Sequence, residues 1–315
     1  MLSKFGGDQN QTVNAVFQVV VAAKPQIEQL VKDGKADEAK KVSANLSSLA
    51  ARISGMDAKL TPVQLLDLGK IFKELGDYDK GIALLLRVPA PKNLAFLKAE
   101  PPQPAAPDAA WTADKAATPF YRVAQLELIR TYRLANQLPK AEELLEASLG
   151  KDRKSGWAYK YPEYRREEFY YLEAKAAGIA NPQEASKVWA EAKKGWDGMS
   201  REYLKVLTTA LPATAKEEDV SNLRRQKEFV KPIYFDLVAE LIRCLTRAQL
   251  QIQSGKKAEL DKAMAGLAKQ IVELEKKNPE LNDDVKAKFQ KLFEEVPQLK
   301  EAYKAAGGTS NTAVK

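Results

Sequence analysis

The sequence predicts an all-α fold in which antiparallel helix pairs follow one another along the chain. Three observations support this prediction: apolar residues recur at helical spacing, helix-start signals recur between them, and runs of β-branched residues are scarce. The chain has 315 residues, 45% of them apolar and 29% charged, which is the composition of a chain that forms a core. Its length allows about two globular domains or one elongated repeat array.

The helical spacing is clearest near the C-terminus. Two sets of apolar residues step by three and four positions there, which places each set on one stripe of a helix. The first stripe is Leu260, Met264, Leu267, Ile271 and Leu274, and the second is Leu281, Val285, Phe289, Leu292 and Val296.

Four dipeptides in the sequence carry the same signal for the start of a helix. Each offers a polar N-cap followed by proline at the first helical position. In two of them a Gln or Glu stands three residues after the cap, as a capping box requires. The four are Thr61-Pro62, Thr118-Pro119, Asn181-Pro182 and Asn278-Pro279.

Residues 65–88 form the clearest helix pair. We expect Gly69 to allow a close approach between the two helices and Gly76 to form the turn between them. The first helix presents Leu65, Leu68 and Phe72 to the pair, and the second presents Tyr78, Ile82, Leu85 and Val88. This segment resembles the tetratricopeptide repeat, a helix-turn-helix unit of about 34 residues. One departure is Gly81, where the family prefers alanine.

Weaker copies of the pattern occupy residues 27–46, 125–149 and 169–192, with turns at Gly34, at Asn136 and at 178–181. Equivalent points are Ala39, Gly81, Ala141 and Ala185, which lie 42, 60 and 44 residues apart. All three intervals exceed the repeat's period, so helices are lengthened or segments are inserted. The resemblance implies an α-solenoid, that is, a tetratricopeptide-like superhelix.

The predicted organisation has four parts. Residues 1–60 are an N-terminal helical pair, 61–200 hold the repeats, 201–306 form a C-terminal helical region, and 307–315 are a flexible tail. A Pro-rich insertion at 89–119 contains seven of the chain's 16 prolines. Two interpretations of this insertion stay open: a plain loop, with Trp111 anchoring it to the helices, or a binding element.

Composition excludes several kinds of chemistry. With no histidine there is no imidazole general base and no Ser-His-Asp site, and with Cys244 alone there is no disulfide, zinc knuckle or iron–sulfur cluster. Adjacent acidic pairs such as Glu167-Glu168 diverge by about 100° on a helix. We therefore predict a non-enzymatic protein with no catalytic residue, no metal site and no cofactor.

The tetratricopeptide resemblance implies a concave groove that binds peptides or partner helices. The first helices of successive pairs would supply this groove, and its basic side chains would favour an acidic partner segment. The alternative is that they are ordinary solvated charges. The groove positions are Leu66, Lys70 and Lys73, then Leu126, Arg130 and Arg133, then Tyr170, Ala174 and Ala177.

An aromatic-basic stretch at residues 157–171 gives a second hypothesis. The rings and cations would form a stacking surface for a peptide or a single-stranded nucleic acid, or the rings would pack a joint between helix pairs. The formal net charge of +8 is mild and mixed with acidic residues, which makes nucleic acid the less favoured partner. The candidate surface residues are Tyr159, Tyr161, Tyr164 and Arg165.

No export signal is visible in the sequence as it is numbered. The apolar run at residues 19–23 is too short to span a membrane and is followed by Lys24 and Pro25. Cytoplasmic is therefore the default location, and periplasmic or exported is the expectation if the chain is a trimmed mature form. The sequence leaves self-association and the identity of the partner open.

Overall fold

A computed structural model of the chain describes residues 9–54, 60–99, 103–212, 214, 216–279 and 281–308. These residues form thirteen helices and no strand, so the all-α prediction is confirmed for them. The chain divides into two compact units, Met1–Glu167 (unit 1) and Glu168–Lys315 (unit 2). The arrangement of the helix pairs as a solenoid stays a prediction.

Unit 1 contains seven helices among its described residues, and the division between the units falls inside an eighth. The helices of unit 1 are α1 (Gln9–Lys32), α2 (Ala36–Ser54), α3 (Pro62–Glu74), α4 (Tyr78–Leu85), α5 (Ala95–Lys98), α6 (Ala109–Leu134) and α7 (Leu138–Leu149). The dividing helix is α8 (Pro162–Ala177). Unit 2 continues with α9 (Pro182–Thr208), α10 (Glu217–Ile252), α11 (Lys257–Lys277), α12 (Asp283–Glu295) and α13 (Pro297–Ala305).

Successive helices of unit 1 pack against each other: α1 on α2 and α3, α3 on α4 and α6, and α6 on α7. Three of the predicted turns have the same geometry, in which one residue adopts a positive φ. These residues are Gly34 (φ 74°), Gly76 (φ 78°) and Asn136 (φ 57°). In each turn the next backbone N–H donates to a carbonyl five residues earlier, at 2.8 to 2.9 Å. Such bonds satisfy carbonyls that the helix end leaves free.

The predicted close approach at Gly69 is confirmed. A Cβ atom at Gly69 would lie 2.7 Å from Cγ of Leu85, and one at Gly81 would lie 3.1 Å from the carbonyl oxygen of Gly69. The two glycines therefore let the backbones of α3 and α4 approach each other closely.

Two of the four predicted helix starts are confirmed. Thr61 and Gln64 form a reciprocal capping box, with the Thr61 N–H donating to Gln64 Oε1 at 2.7 Å and the Gln64 N–H donating to Thr61 Oγ1 at 3.3 Å. Asn181 Oδ1 accepts from the N–H groups of Gln183 (2.9 Å) and Glu184 (3.4 Å). These bonds satisfy donors that would otherwise have no partner at the start of the helix.

The other two predicted starts are wrong. Thr118-Pro119 lies inside α6, because Asp108 caps this helix earlier by accepting from the Trp111 N–H at 2.7 Å. The Thr118 hydroxyl instead donates to the Asp114 carbonyl within the helix, at 2.7 Å. At the second site α11 ends before Asn278-Pro279, and α12 begins only at Asp283.

The Pro-rich insertion is consequently shorter than predicted. Residues 109–119 are helical, and α5 lies within the insertion, so the loop prediction is wrong for these parts. Asp114 accepts from the backbone N–H groups of Lys92 (2.7 Å) and Asn93 (2.9 Å). Trp111 packs edge-on against Phe96 of α5 with ring centroids 5.8 Å apart, so this contact lies within the insertion, and the anchoring of the insertion to the neighbouring helices stays a prediction. Residues 100–102 lie outside the described residues.

The two C-terminal apolar stripes pack together in unit 2. Met264, Leu267 and Ile271 of α11 share one buried cluster with Val285 and Phe289 of α12. Leu281 and Val296 flank α12 and are buried in the same cluster, so each stripe faces the core as its spacing predicts. Most of the predicted tail, residues 309–315, lies outside the described residues.

Candidate functional site

Three of the four basic residues of the predicted groove in unit 1, Lys73, Arg130 and Arg133, form ion pairs with acidic side chains. Lys73 Nζ lies 2.6 Å from Glu127 Oε2, and Arg130 Nη1 lies 2.8 Å from Glu127 Oε1. Arg130 Nε lies 2.9 Å from Glu167 Oε1, and Arg133 Nη2 lies 3.1 Å from Glu167 Oε2. These five side chains alternate in charge, and we call them the unit 1 charge network.

Three helices position the unit 1 charge network. Lys73 lies in the last turn of α3, Glu127, Arg130 and Arg133 follow one face of α6 at a spacing of three, and Glu167 lies on α8. Burial raises the pKa of Glu127, but Lys73 and Arg130 lower it more, so its pKa is below the ordinary value. The glutamate is therefore ionised at neutral pH and holds both cations.

This pairing removes much of the positive charge that the groove prediction relies on. Leu66 and Leu126 are buried in the core, at 5% and 9% exposure. Lys70 is half-buried near Asp67, whose pKa is raised by burial and partly lowered again by Lys70. A binding role for these groove residues stays a prediction.

The third groove position, Tyr170, belongs to unit 2. Its ring packs edge-on against Trp196 at 5.0 Å, and the Arg243 guanidinium lies 5.1 Å from its centroid. Tyr170 is therefore held inside unit 2 by aromatic and cation–π contacts.

Unit 2 contains a second alternating set, the unit 2 charge network. Lys288 Nζ lies 2.5 Å from Glu240 Oε1, and Arg243 Nε lies 2.6 Å from Glu240 Oε2. Arg243 also holds Glu173 with both terminal nitrogens, at 2.7 and 2.8 Å. The indole N–H of Trp196 donates to Glu173 at 2.7 Å. Lys288 additionally pairs with Asp236.

A sequence signal for both networks exists and was missed. The same four residues, Glu-Leu-Ile-Arg, occur at 127–130 in α6 and at 240–243 in α10. Because three positions make nearly one helical turn, the Glu and Arg of each tetrapeptide pair on one helix face. The isoleucine of each tetrapeptide is buried in the core.

The aromatic-basic stretch contributes packing in unit 1. Tyr164 is 3% exposed, packs edge-on against Trp157 at 5.2 Å, and donates its hydroxyl to the Arg122 carbonyl at 2.6 Å. Burial raises the pKa of this hydroxyl. Tyr161 contacts Trp157 and lies under the Arg122 guanidinium, and Arg165 lies 5.0 Å from the centroid of the half-buried Tyr159. The packing alternative therefore describes Tyr164 better than the stacking surface does.

Unit 2 carries a concave surface that the sequence analysis did not predict, which we call the α10 cleft. Its volume is about 1240 Å³. It is lined by the end of α9, the loop 209–212, one face of α10 and the C-terminal part of α11. Its apolar side chains are Leu204, Leu207, Leu211, Val220, Leu223, Tyr234, Phe235, Val238, Ile242 and Leu274.

The cleft arises from unequal helix lengths. α10 has 36 residues and α11 has 21, and the two pack together across the short connection 253–256. The N-terminal part of α10 therefore extends past the end of α11 by about 22 Å, at about 1.5 Å per residue. Part of the apolar face of α10 stays uncovered there, and Val220 is 51% exposed.

The lining of the α10 cleft is more basic than acidic. Arg224 pairs with Glu228 at 3.3 Å, and Lys277 pairs with Glu273 at 3.8 Å. All of these side chains are on the surface, where such pairs are weak. The charged lining residues are the basic Arg224, Lys227, Lys231 and Lys277 and the acidic Glu228 and Glu273.

No group of three or more acidic or cysteine side chains in the described part of the chain is arranged to hold a metal ion. Among the described helices, none combines the length and apolarity needed to cross a membrane. No protein-family model matches this sequence, and neither the curated proteins nor the solved structures compared with it are significantly similar.

Proposed function

We propose that this protein is a non-enzymatic scaffold of tetratricopeptide-like helix pairs that binds a segment of a partner protein. The observation that carries the proposal is the α10 cleft. It brings apolar side chains from three helices and a loop together with charged ones, and exposed apolar surfaces of this kind commonly mark interaction sites.

The buried charges support the same assignment. In both networks each buried carboxylate is neutralised by neighbouring Lys or Arg side chains, which is the arrangement that a structural role requires. Cys244 is fully buried, and burial raises the pKa of its thiol, which disfavours the reactive thiolate. These groups therefore stabilise the fold and leave the cleft as the surface for binding.

The test compares two aspartate variants of the full chain. The double variant Leu204→Asp/Val220→Asp places charges at two exposed apolar lining positions. The control is Phe229→Asp, because Phe229 is 73% exposed, does not line the cleft and lies about 180° around the helix from Val220 and Val238. Circular dichroism and thermal unfolding establish that both variants are folded.

Affinity capture from the source organism, read by quantitative mass spectrometry, then decides the proposal. We expect specific proteins that are retained by the wild type and by Phe229→Asp and are lost with the cleft variant. Equal capture by all three proteins would remove the cleft as the binding surface and with it the support for the scaffold assignment.

A further inference from the structure

We infer that the α10 cleft receives an acidic amphipathic helix of a partner protein. This inference rests on the proposed scaffold function and specifies the chemistry of the segment bound. Three features of the cleft support it: its length, the spacing of its apolar side chains and the sign of its charge.

The length of the cleft matches a helix of several turns. Its lining residues on α10 run from Val220 to Ile242. At about 1.5 Å per residue this corresponds to about 33 Å, the length of a helix of about 22 residues. Pockets for small molecules are commonly about 300–1,000 Å³, and the cleft at about 1240 Å³ is larger.

The apolar lining side chains of α10 fall into two groups, and the charged Arg224, Lys227, Glu228 and Lys231 lie between them. Val220, Leu223, Tyr234 and Val238 of α10 share one face because they are separated by near-multiples of a helical turn. Leu204 and Leu207 form the wall on the α9 side. An amphipathic partner helix can place apolar side chains, spaced by three or four positions, against each of these apolar groups and polar side chains against the charged turns between them.

Charge selects an acidic helix rather than a basic one. The described lining contains four basic and two acidic side chains, and Arg224, Lys227 and Lys231 follow the same face of α10. A partner helix with carboxylates beside its apolar stripe would meet a positive surface, whereas a lysine-rich helix would meet repulsion. The attraction acts between exposed groups, so salt weakens it.

The first experiment uses designed peptide probes with the full-length protein. The acidic probe is a fluorescent amphipathic peptide of about 22 residues, with leucine on one face and glutamate on the other. A second probe carries lysine in place of glutamate. A third probe has the acidic residues and leucines in scrambled order. Fluorescence anisotropy should give at least about tenfold tighter binding of the acidic probe than of either other peptide, and weaker binding as salt rises.

The second experiment changes the protein at two neighbouring arginines. Arg224→Glu alters a lining residue, whereas Arg225→Glu alters the next residue, about 100° away on the helix and outside the lining. Arg225 donates to Asn222 at 3.0 Å on that other face. The double variant Arg224→Glu/Lys227→Glu should weaken binding of the acidic probe at least about tenfold. Arg225→Glu should leave the affinity for this probe within about twofold of the wild-type value.

Two results would overturn the inference. One is equal affinity for the acidic and lysine probes, and the other is a fatty acid or anionic detergent that displaces the acidic probe and binds more tightly, which would assign the cleft to a lipid. If partner capture still depends on Leu204 and Val220 after either result, the scaffold function stands and only the acidic helix is wrong. If capture is also unaffected, both proposals are wrong.

Discussion

The two charge networks use the same tetrapeptide in different surroundings. In unit 1 the Glu of the tetrapeptide also binds Lys73, from a helix earlier in the chain. The second carboxylate, Glu167, binds two arginines. In unit 2 the Glu of the tetrapeptide also binds Lys288, from a helix later in the chain. The second carboxylate, Glu173, binds Arg243 and the indole N–H of Trp196.

The difference lies in how the second carboxylate is stabilised. The unit 1 network contains three cations and, with Glu74 lying 3.4 Å from Lys73, three carboxylates, whereas the unit 2 network, with Asp236, contains two cations and three carboxylates. The tetrapeptide thus supplies a Glu–Arg ion pair in each unit, and side chains from other helices extend that pair differently in the two units. The charges balance in unit 1 and carboxylates are in excess in unit 2, which makes the shared cation of unit 2 more critical than a single cation of unit 1.

The largest expected effect comes from removing one arginine from each network. Arg243→Leu deprives both Glu173 and Glu240 of their shared cation, so we expect a loss of about 3–5 kcal/mol in the free energy of unfolding. Arg133→Leu leaves Glu167 paired with Arg130 and should cost about 1 kcal/mol. Urea unfolding followed by circular dichroism, with hydrogen exchange of α6 and α10, measures both. Equal losses would contradict the comparison.

A smaller effect is expected from the glutamates of the two tetrapeptides. Burial raises the pKa of Glu127 and of Glu240, but the cations beside each of them lower it more, so both folded pKa values lie below the ordinary 4.5. The stability that they supply is therefore complete above pH 4.5 and is lost as the pH falls through the folded pKa. Glu127→Gln and Glu240→Gln should each cost about 2 kcal/mol at pH 7.

The pH dependence provides the control for that prediction. Each glutamine variant should approach the wild type as unfolding is measured at successively lower pH below 4.5. Glu228→Gln breaks an exposed pair with Arg224 and should change stability by less than about 0.5 kcal/mol at every pH. A constant difference between Glu127→Gln and the wild type would mean that the ion pairs are not the cause.

The smallest effect separates the two lysines. The Lys73 side chain is 12% exposed and that of Lys288 is 37% exposed, so solvent screens the ion pairs of Lys288 more. We expect Lys73→Met to cost about 1.5 kcal/mol and Lys288→Met less than about 1 kcal/mol in urea unfolding. Each lysine pairs with two carboxylates, so the reverse order would show that exposure does not decide how much these ion pairs contribute.

The sequence predicted those parts of the fold that depend on neighbouring residues. Thr61 and Gln64 form their capping box, and Gly69 and Gly76 act as expected, because each effect needs only a few adjacent positions. Thr118 has a similar local signal and was misinterpreted. Its helix begins earlier at Asp108, and the helix is held there by Asp114 and Trp111 through contacts with residues 15 to 22 positions away.

The candidate site was harder to predict for the same reason. The spacing of Arg130 and Arg133 indicates a basic helix face, but Glu167 approaches from a helix 34 to 37 residues later. The α10 cleft depends on the relative lengths of two packed helices, which no motif encodes. Sequence spacing identifies which side chains share a face, whereas tertiary packing determines what covers that face.

The paired glycines of α3 and α4 have a consequence for protein engineering. A design that maximises helix propensity would replace Gly81 with alanine. Here the new methyl group would lie 3.1 Å from the carbonyl oxygen of Gly69 and 3.4 Å from the backbone nitrogen of Lys73. Alanine at position 81 would therefore require the two backbones to move apart by a few tenths of an ångström, and any redesign of this hairpin should keep both glycines.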